Sequence, residues 1–209
     1  MNICYVHEEY PEETNFGGIA TYQKSVAEEM ARQGHNVIVV TRGLECDKDY
    51  IENGVRVIRI YDKPQSNQIK MYESYRKKVA KKLVELQSKN LIDIIESPDW
   101  GAETYFFEKF RKVPLVVRFH TPLKIWLDYN KNDFGPVKDK VLKWEDAQIN
   151  NSDYLTCCSK ILKDMVVRDY FVDRKKILVC PNPANIVKFY RDPKIEKENR
   201  LVFVGSLEE

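Results

Sequence analysis

Asn36-Val37-Ile38-Val39-Val40-Thr41 is apolar at consecutive positions, so both faces of the segment are built for burial. Pro114-Leu115-Val116-Val117 has the same character. A strand with one wet face alternates apolar and polar side chains, whereas a strand of a parallel sheet is covered by helices on both sides and shows near-continuous apolar runs. These two segments therefore predict a parallel sheet packed between helices.

Outward from them, strand-like runs are predicted at 2–6, 36–41, 55–60, 92–96, 114–119, 154–158 and 176–180, alternating with longer segments of helical period. In 18–33, Ile19, Tyr22, Val26 and Met30 form one apolar stripe, and in 68–89, Tyr72, Tyr75, Val79, Leu83 and Leu86 form another. Further helices are expected at 101–111, 136–150 and 159–169. Gly34 follows the first helix as a residue that tolerates the left-handed conformation and stops it. Region 42–54 reads as irregular, with Gly54 opening the strand 55–60. The repeated alternation predicts an α/β fold with a doubly wound, mostly parallel, Rossmann-like sheet.

Composition agrees. The 209 residues are 43% hydrophobic and 32% charged, enough apolar material for one sizeable core. Lys and Arg number 34 against 32 Asp and Glu, a formal net charge of +2, so the overall field is weak and nucleic acid is disfavoured as a partner. Cys4, Cys46, Cys157, Cys158 and Cys180 are odd in number and include no CxxC pair. Four of them fall in strand-like runs, so they read as small buried side chains in a reducing compartment. The opening Met1-Asn2-Ile3-Cys4-Tyr5-Val6 reads as a strand rather than a secretory signal. No apolar run approaches the length of a bilayer span, and a cytoplasmic location is expected. After Pro181-Asn182-Pro183 the texture changes. Residues 1–186 are expected to form one Rossmann-like domain and the polar stretch 187–200 a linker. Residues 201–209 would be the first strand of a further domain, at whose boundary the sequence stops.

In an open parallel sheet ligands bind beyond the carboxyl ends of the strands, so the residues just after each strand carry the functional expectations. After the first strand a long loop enters a helix at Gly17-Gly18. Glycines there let the backbone approach a bound group, and the free amides of a helix start favour an anion such as phosphate. A tight turn alone would use them equally well. The second strand ends in Thr41-Arg42-Gly43 without the acidic residue of a dinucleotide site, which disfavours NAD. The fourth run ends in Glu96-Ser97-Pro98-Asp99-Trp100-Gly101, where Asp99 is placed to cap the helix 101–111. The fifth ends in Arg118-Phe119-His120-Thr121-Pro122, and a histidine at a strand mouth suits a ligand hydroxyl or proton transfer as well as a satisfied core position. Asp47-Lys48-Asp49 reads as a solvated turn. The run beginning Asp128-Tyr129-Asn130 lacks the glycine and the terminal glutamate of a calcium loop, so neither predicts a metal.

Taken in order, Phe16-Gly17-Gly18-Ile19-Ala20, Arg32-Gln33-Gly34-His35, Glu96-Ser97-Pro98-Asp99-Trp100-Gly101, Arg118-Phe119-His120-Thr121-Pro122, Cys158-Ser159-Lys160, Cys180-Pro181-Asn182-Pro183 and Leu201-Val202-Phe203-Val204-Gly205 make the chain resemble glycosyltransferase family 4. The resemblance implies the N-terminal, acceptor-side half of a two-domain GT-B architecture that transfers a sugar from a nucleotide-diphosphate donor to a glycan or lipid-linked acceptor. It implies retention of configuration without metal or cofactor. On the same basis Gly17 and Gly18 would approach the donor diphosphate, and His120 would stand at the reaction centre. Glu96, Asp99, Arg118, Ser159 and Asn182 would line the acceptor side of the cleft. The donor-holding groups belong to the second domain, so this chain alone is expected to fold without useful transfer. Alternatives are a sugar-nucleotide epimerase or hydrolase of the same fold, or a non-catalytic binding module. Helix 68–89 carries Lys70, Arg76, Lys77, Lys78, Lys81, Lys82 and Lys89 against Glu73 and Glu85. Its basic face could rest on anionic lipid, or be only a solvated face.

Overall fold

The computed structural model describes residues 1–14, 17–130, 134–184, 189–190, 192–195 and 199–203. Among them lies one eight-stranded sheet in the order β3-β4-β2-β1-β5-β6-β7-β8. The strands are β1 (Asn2–Val6), β2 (Asn36–Gly43), β3 (Lys48–Glu52), β4 (Val55–Tyr61), β5 (Ile94–Pro98), β6 (Leu115–Phe119), β7 (Tyr154–Cys157) and β8 (Ile177–Val179). Every pairing is parallel except β3 with β4. The helices are α1 (Gly18–Arg32), α2 (Gln68–Ser88), α3 (Leu123–Tyr129), α4 (Lys138–Asn151) and α5 (Lys160–Tyr170). The fold is the expected doubly wound, mostly parallel α/β sheet.

Alternate residues of each strand build two different cores. Tyr5, Val37, Val39, Val55 and Val57 pack with Ala27 of α1 on one face. Cys4, Val6, Ile38, Val40, Ile95 and Val117 pack with Tyr75, Val79 and Leu83 of α2 and Val166 of α5 on the other. That two-sided burial is what the uninterrupted apolar runs demanded. Strand order reverses between β1 and β5, and the tips of those two strands open the crevice where such sheets hold ligands. On the α1 face, the β6–β8 half is thinly covered: Tyr154 and Leu178, which share that face with Arg118 by register, are exposed.

Three segments depart from the sequence expectation. Region 42–54 contains the antiparallel edge strand β3, closed onto β4 by Asn53-Gly54 with φ of 49° and 81°. The helix expected at 101–111 is two 3-10 turns, Trp100–Ala102 and Tyr105–Phe110. The reason lies in α4. Glu145 Oε1 accepts the Gly101 amide at 2.8 Å and Gln148 Oε1 the Thr104 amide at 3.0 Å, while Gly101 (φ 74°) and Ala102 (φ 49°) are left-handed, so the amides that would start an α-helix are taken by buried side chains. Helix α3 was unforeseen. It begins after Pro122 and buries Leu123 and Ile125. Of the calcium-like run, residues 131–133 lie outside the described residues, as do 204–209 of the expected final strand. Leu201, Val202 and Phe203 are exposed and not in a strand. Cys46 and Cys180 are exposed, against the expectation that Cys180 is buried; Cys4 and Cys157 are buried as expected, and all five thiols are free. No described helix is long and apolar enough to cross a membrane.

Candidate active site

Four side chains from three elements meet at the tips of β5 and β6. Glu96 and Arg118 lie on the same face of neighbouring strands, and Tyr22 rises to them from the first turns of α1. The Tyr22 hydroxyl donates to Glu96 Oε1 at 2.9 Å, and the Arg118 guanidinium stacks over the Tyr22 ring 4.1 Å from its centroid. The His120 ring meets the same tyrosine edge-on at 5.1 Å. Ile19, Tyr22, Glu96, Pro98, Arg118 and His120 enclose a niche of about 10 Å³. That holds about one water, so any larger ligand would sit over the group, not inside it.

Arg118 is 2% exposed yet forms no ion pair among the described residues. One nitrogen, Nη2, donates at 2.8 Å both to the Cys180 carbonyl and to Asn182 Oδ1, tying the segment after β8 to the tip of β6. Its Nε is buried without a partner. Burial raises the Glu96 carboxyl above its ordinary range, against the Tyr22 hydrogen bond and the Arg118 charge. Burial also pushes the His120 imidazole down to about 3, helped by the neighbouring Arg118 and His7. At neutral pH His120 is uncharged, with one ring nitrogen a donor and the other an acceptor.

Asp99 lies beneath this group and is fully buried. Its Oδ1 accepts the His120 amide at 3.1 Å, and burial lifts its carboxyl to about 7. Its side chain makes no capping bond to the turn that follows, which corrects the helix-cap expectation, and full burial keeps it from lining an open cleft. Its place in the site is to fix the backbone that carries His120.

A second buried pair, His7 with Glu103, lies beyond the tip of β1 and belongs to none of the sequence motifs. His7, immediately after β1, is 2% exposed, with Nδ1 3.2 Å from Glu103 Oε1; the same oxygen accepts the Glu8 amide at 2.8 Å. Burial alone would depress this imidazole, but the hydrogen bond and charge of Glu103, with Glu8 and Glu9 behind it, hold it above its ordinary value. His7 thus sits at the switch point between β1 and β5 with a character opposite to that of His120. Its position at a strand tip was the available signal.

Gly17 is the N-cap of α1 without a side-chain capping bond, and α1 carries no acidic residue in its first turn. Neither Gly17 nor Gly18 has a positive φ. A Cβ on Gly17 would come 2.8 Å from Glu9 Oε2, whereas a Cβ on Gly18 would meet nothing within 4 Å. Ser159 is occupied elsewhere, its Oγ accepting the Leu162 amide at 3.1 Å to cap α5. The structure thus brings together Glu96, Arg118, His120 and, through Arg118, Asn182. Asp99 lies beneath them, the amides of α1 beside them, and Ser159 outside the niche. Among the described residues no group of His, Cys, Asp or Glu could hold a metal; Asp47 instead accepts the Tyr61 amide and Asp49 pairs with Arg56.

The family model Glycosyltransferase Family 4 matches residues 16–188. No curated protein matches the chain at the sequence level. Among solved structures the chain is similar to a sucrose-phosphate synthase from Thermosynechococcus elongatus, with a TM-score of 0.61 and 17% identity over 88% of this chain and 90% of that one. It is similar to the catalytic domain of starch synthase IV from Arabidopsis thaliana bound to ADP and acarbose, with a TM-score of 0.62 and 12% identity over 89% of this chain and 52% of that one. A glycosyltransferase from Rickettsia africae gives a TM-score of 0.54 and 17% identity over 92% and 46%. The chain spans about half the length of the last two.

Proposed function

The chain belongs to glycosyltransferase family 4, and we propose that it is the acceptor-side half of a retaining, metal-independent glycosyltransferase. The donor is a nucleotide-diphosphate sugar and the acceptor a glycan or lipid-linked sugar. Residues 1–186 are the acceptor-side domain, 187–200 the linker, and 201–209 the start of the donor-binding domain. The observation that supports this reading is the meeting of an uncharged His120 with Glu96, Arg118 and Tyr22 at the strand tips, beside the start of α1.

The roles divide by chemistry. The first-turn amides of α1 receive the donor diphosphate, where helix-end dipoles favour negative charge. An uncharged imidazole at His120 donates to or accepts from a donor-sugar hydroxyl without adding a cation to the face the acceptor must approach. Glu96, Arg118 and Asn182 hold the acceptor side. In the transfer itself the bond from the anomeric carbon to the phosphate oxygen breaks, and the acceptor oxygen bonds the same face of that carbon. The acceptor proton passes to the departing phosphate oxygen. No protein nucleophile takes part, and preorganised charge at the leaving group supplies most of the rate.

The test is incubation with a panel of nucleotide sugars and glycan acceptors, with the product's anomeric configuration read by NMR. Transfer with retained configuration by a protein carrying the donor-binding domain, and none at a useful rate by residues 1–209 alone, is the expected pair of results. An inverted product, an epimerised donor or donor hydrolysis without transfer would overturn it.

A further inference from the structure

On the face of the sheet opposite α1, a groove of about 700 Å³ runs between α2, the turn at 105–110 and the end of α4. Its floor is apolar, built from Ala80, Val84, Phe106 and Phe110, and Phe110 is 57% exposed. Lys81 of α2 and Lys109 of the turn stand on opposite rims, and neither has an acidic partner among the described residues. The acidic side chains around them are already engaged: Glu108 with Arg111 at 3.2 Å, Glu73 with Lys77 and Lys140, and Glu85 with Lys82 and Lys89. On the other side of the same helix a second cleft, about 460 Å³, is lined by Lys78, Lys81 and Lys82 together with Asp47, Asp49 and Glu85. Lys81 is therefore a ridge between an apolar trench and a cleft of mixed charge.

An apolar trench alone would suit any apolar partner. One rimmed by unpaired lysines, with an aromatic ring exposed at its edge, matches an interface that is hydrocarbon below and anionic above. Lysine stems lie along apolar surface while their ammonium groups reach outward; Lys77 is not one of these, because its ammonium stands 5.3 Å over the Phe106 ring and pairs with Glu73. From these contacts we infer that the groove between α2 and residues 105–110 docks on a bilayer containing anionic phospholipid. Phe110 enters the headgroup boundary, and Lys81 and Lys109 face the lipid phosphates. Because α2 and the His120 group occupy opposite faces of the sheet, docking leaves the niche open.

Sedimentation with sucrose-loaded vesicles tests this on the chain itself without any sugar donor, so the result is separate from the transferase reading. Vesicles of phosphatidylcholine alone should retain little protein, and vesicles containing phosphatidylglycerol should retain it at low salt and release it as salt rises. Replacing Lys81 and Lys109 by Gln should weaken anionic-vesicle binding by roughly 25-fold, from about 5-fold for each lysine near such a surface. Phe110→Ser should also weaken it, and all three side chains are exposed enough for the variants to keep the parent melting temperature. Equal partition into both vesicles, no partition into either, or variants that bind like the parent would overturn the inference.

Discussion

The Tyr22 and His120 rings meet edge to face, their centroids 5.1 Å apart at 64°, although one belongs to the first helix and the other to the end of the fifth strand of the parallel series. Tyr22 is the hub of the group, since it also donates to Glu96 and lies under Arg118. Tyr22→Phe keeps the ring contacts and removes only the hydroxyl. It leaves a half-buried carboxyl oxygen without its donor, so a loss of about 1–2 kcal/mol in urea unfolding is expected. Tyr22→Ala also removes the ring and should cost about 3–5 kcal/mol. Equal stabilities for the two variants would show that the ring does not hold the group together.

Asp99 and His120 are joined by one hydrogen bond, and burial moves their protonation in opposite senses. The folded-state carboxyl of Asp99 lies near 7, above its unfolded value, so its contribution is fully present below about pH 4 and is lost as pH rises toward 7. The folded-state imidazole of His120 lies near 3, below its unfolded value. Its contribution is present above about pH 6.5 and is lost as pH falls toward 3. Between pH 4 and 6.5 the two slopes oppose. Relative to the parent, Asp99→Asn should make stability rise more steeply with pH over this window, and His120→Asn should make it fall. Urea midpoints at pH 4.5 and 6.5 decide it, and a parallel change in both variants would rule the opposition out.

Gly101 is a position where only glycine fits. Its φ is 74°, its carbonyl accepts Arg76 Nε at 2.6 Å, and an added Cβ would lie 2.6 Å from Arg76 Nη2. Arg76 is 1% exposed and also bonds the Tyr72 carbonyl, so it has little room to give way. Gly101→Ala should destabilise the chain by about 3 kcal/mol through backbone strain and displacement of the guanidinium. A melting temperature equal to the parent's would show that the turn relaxes freely.

How legible this was in sequence depended on whether local pattern or distant capture decided each segment. Val37–Val40 and Leu115–Val117 had to be two-sided strands because their own composition leaves no wet face, and Gly34 had to end α1, as its φ of 89° shows. Strand β3 was missed because Lys48, Asp49 and Glu52 give an edge strand no apolar alternation; charged edges resist pairing with other chains. The Asn53-Gly54 pair, the preferred two-residue hairpin turn, was the signal that could have found it. The turns at 100–110 were not legible, because Glu145 and Gln148 act on them from 44 residues away. At the site, His120 and Glu96 could be read from their places at strand tips. Their tie to Tyr22 could not, because an apolar stripe in α1 accounted for that tyrosine as core.

Gly17 and Gly18 look alike in sequence, and the structure separates what each can test. A methyl at Gly17 would press on the Glu9 carboxylate, so its loss confuses packing with binding. At Gly18 a methyl meets nothing, the backbone needs no positive φ, and alanine is the better helix former. Gly18→Ala should therefore keep or slightly raise the melting temperature. If the donor diphosphate comes against the α1 amides, the same methyl stands in its path and should weaken nucleotide-sugar affinity about 10-fold or more, the cost of a displaced charge-assisted hydrogen bond. A variant that is as stable as its parent and binds the donor equally well would place the diphosphate elsewhere. The glycine pair would then be no more than the entry turn of a helix.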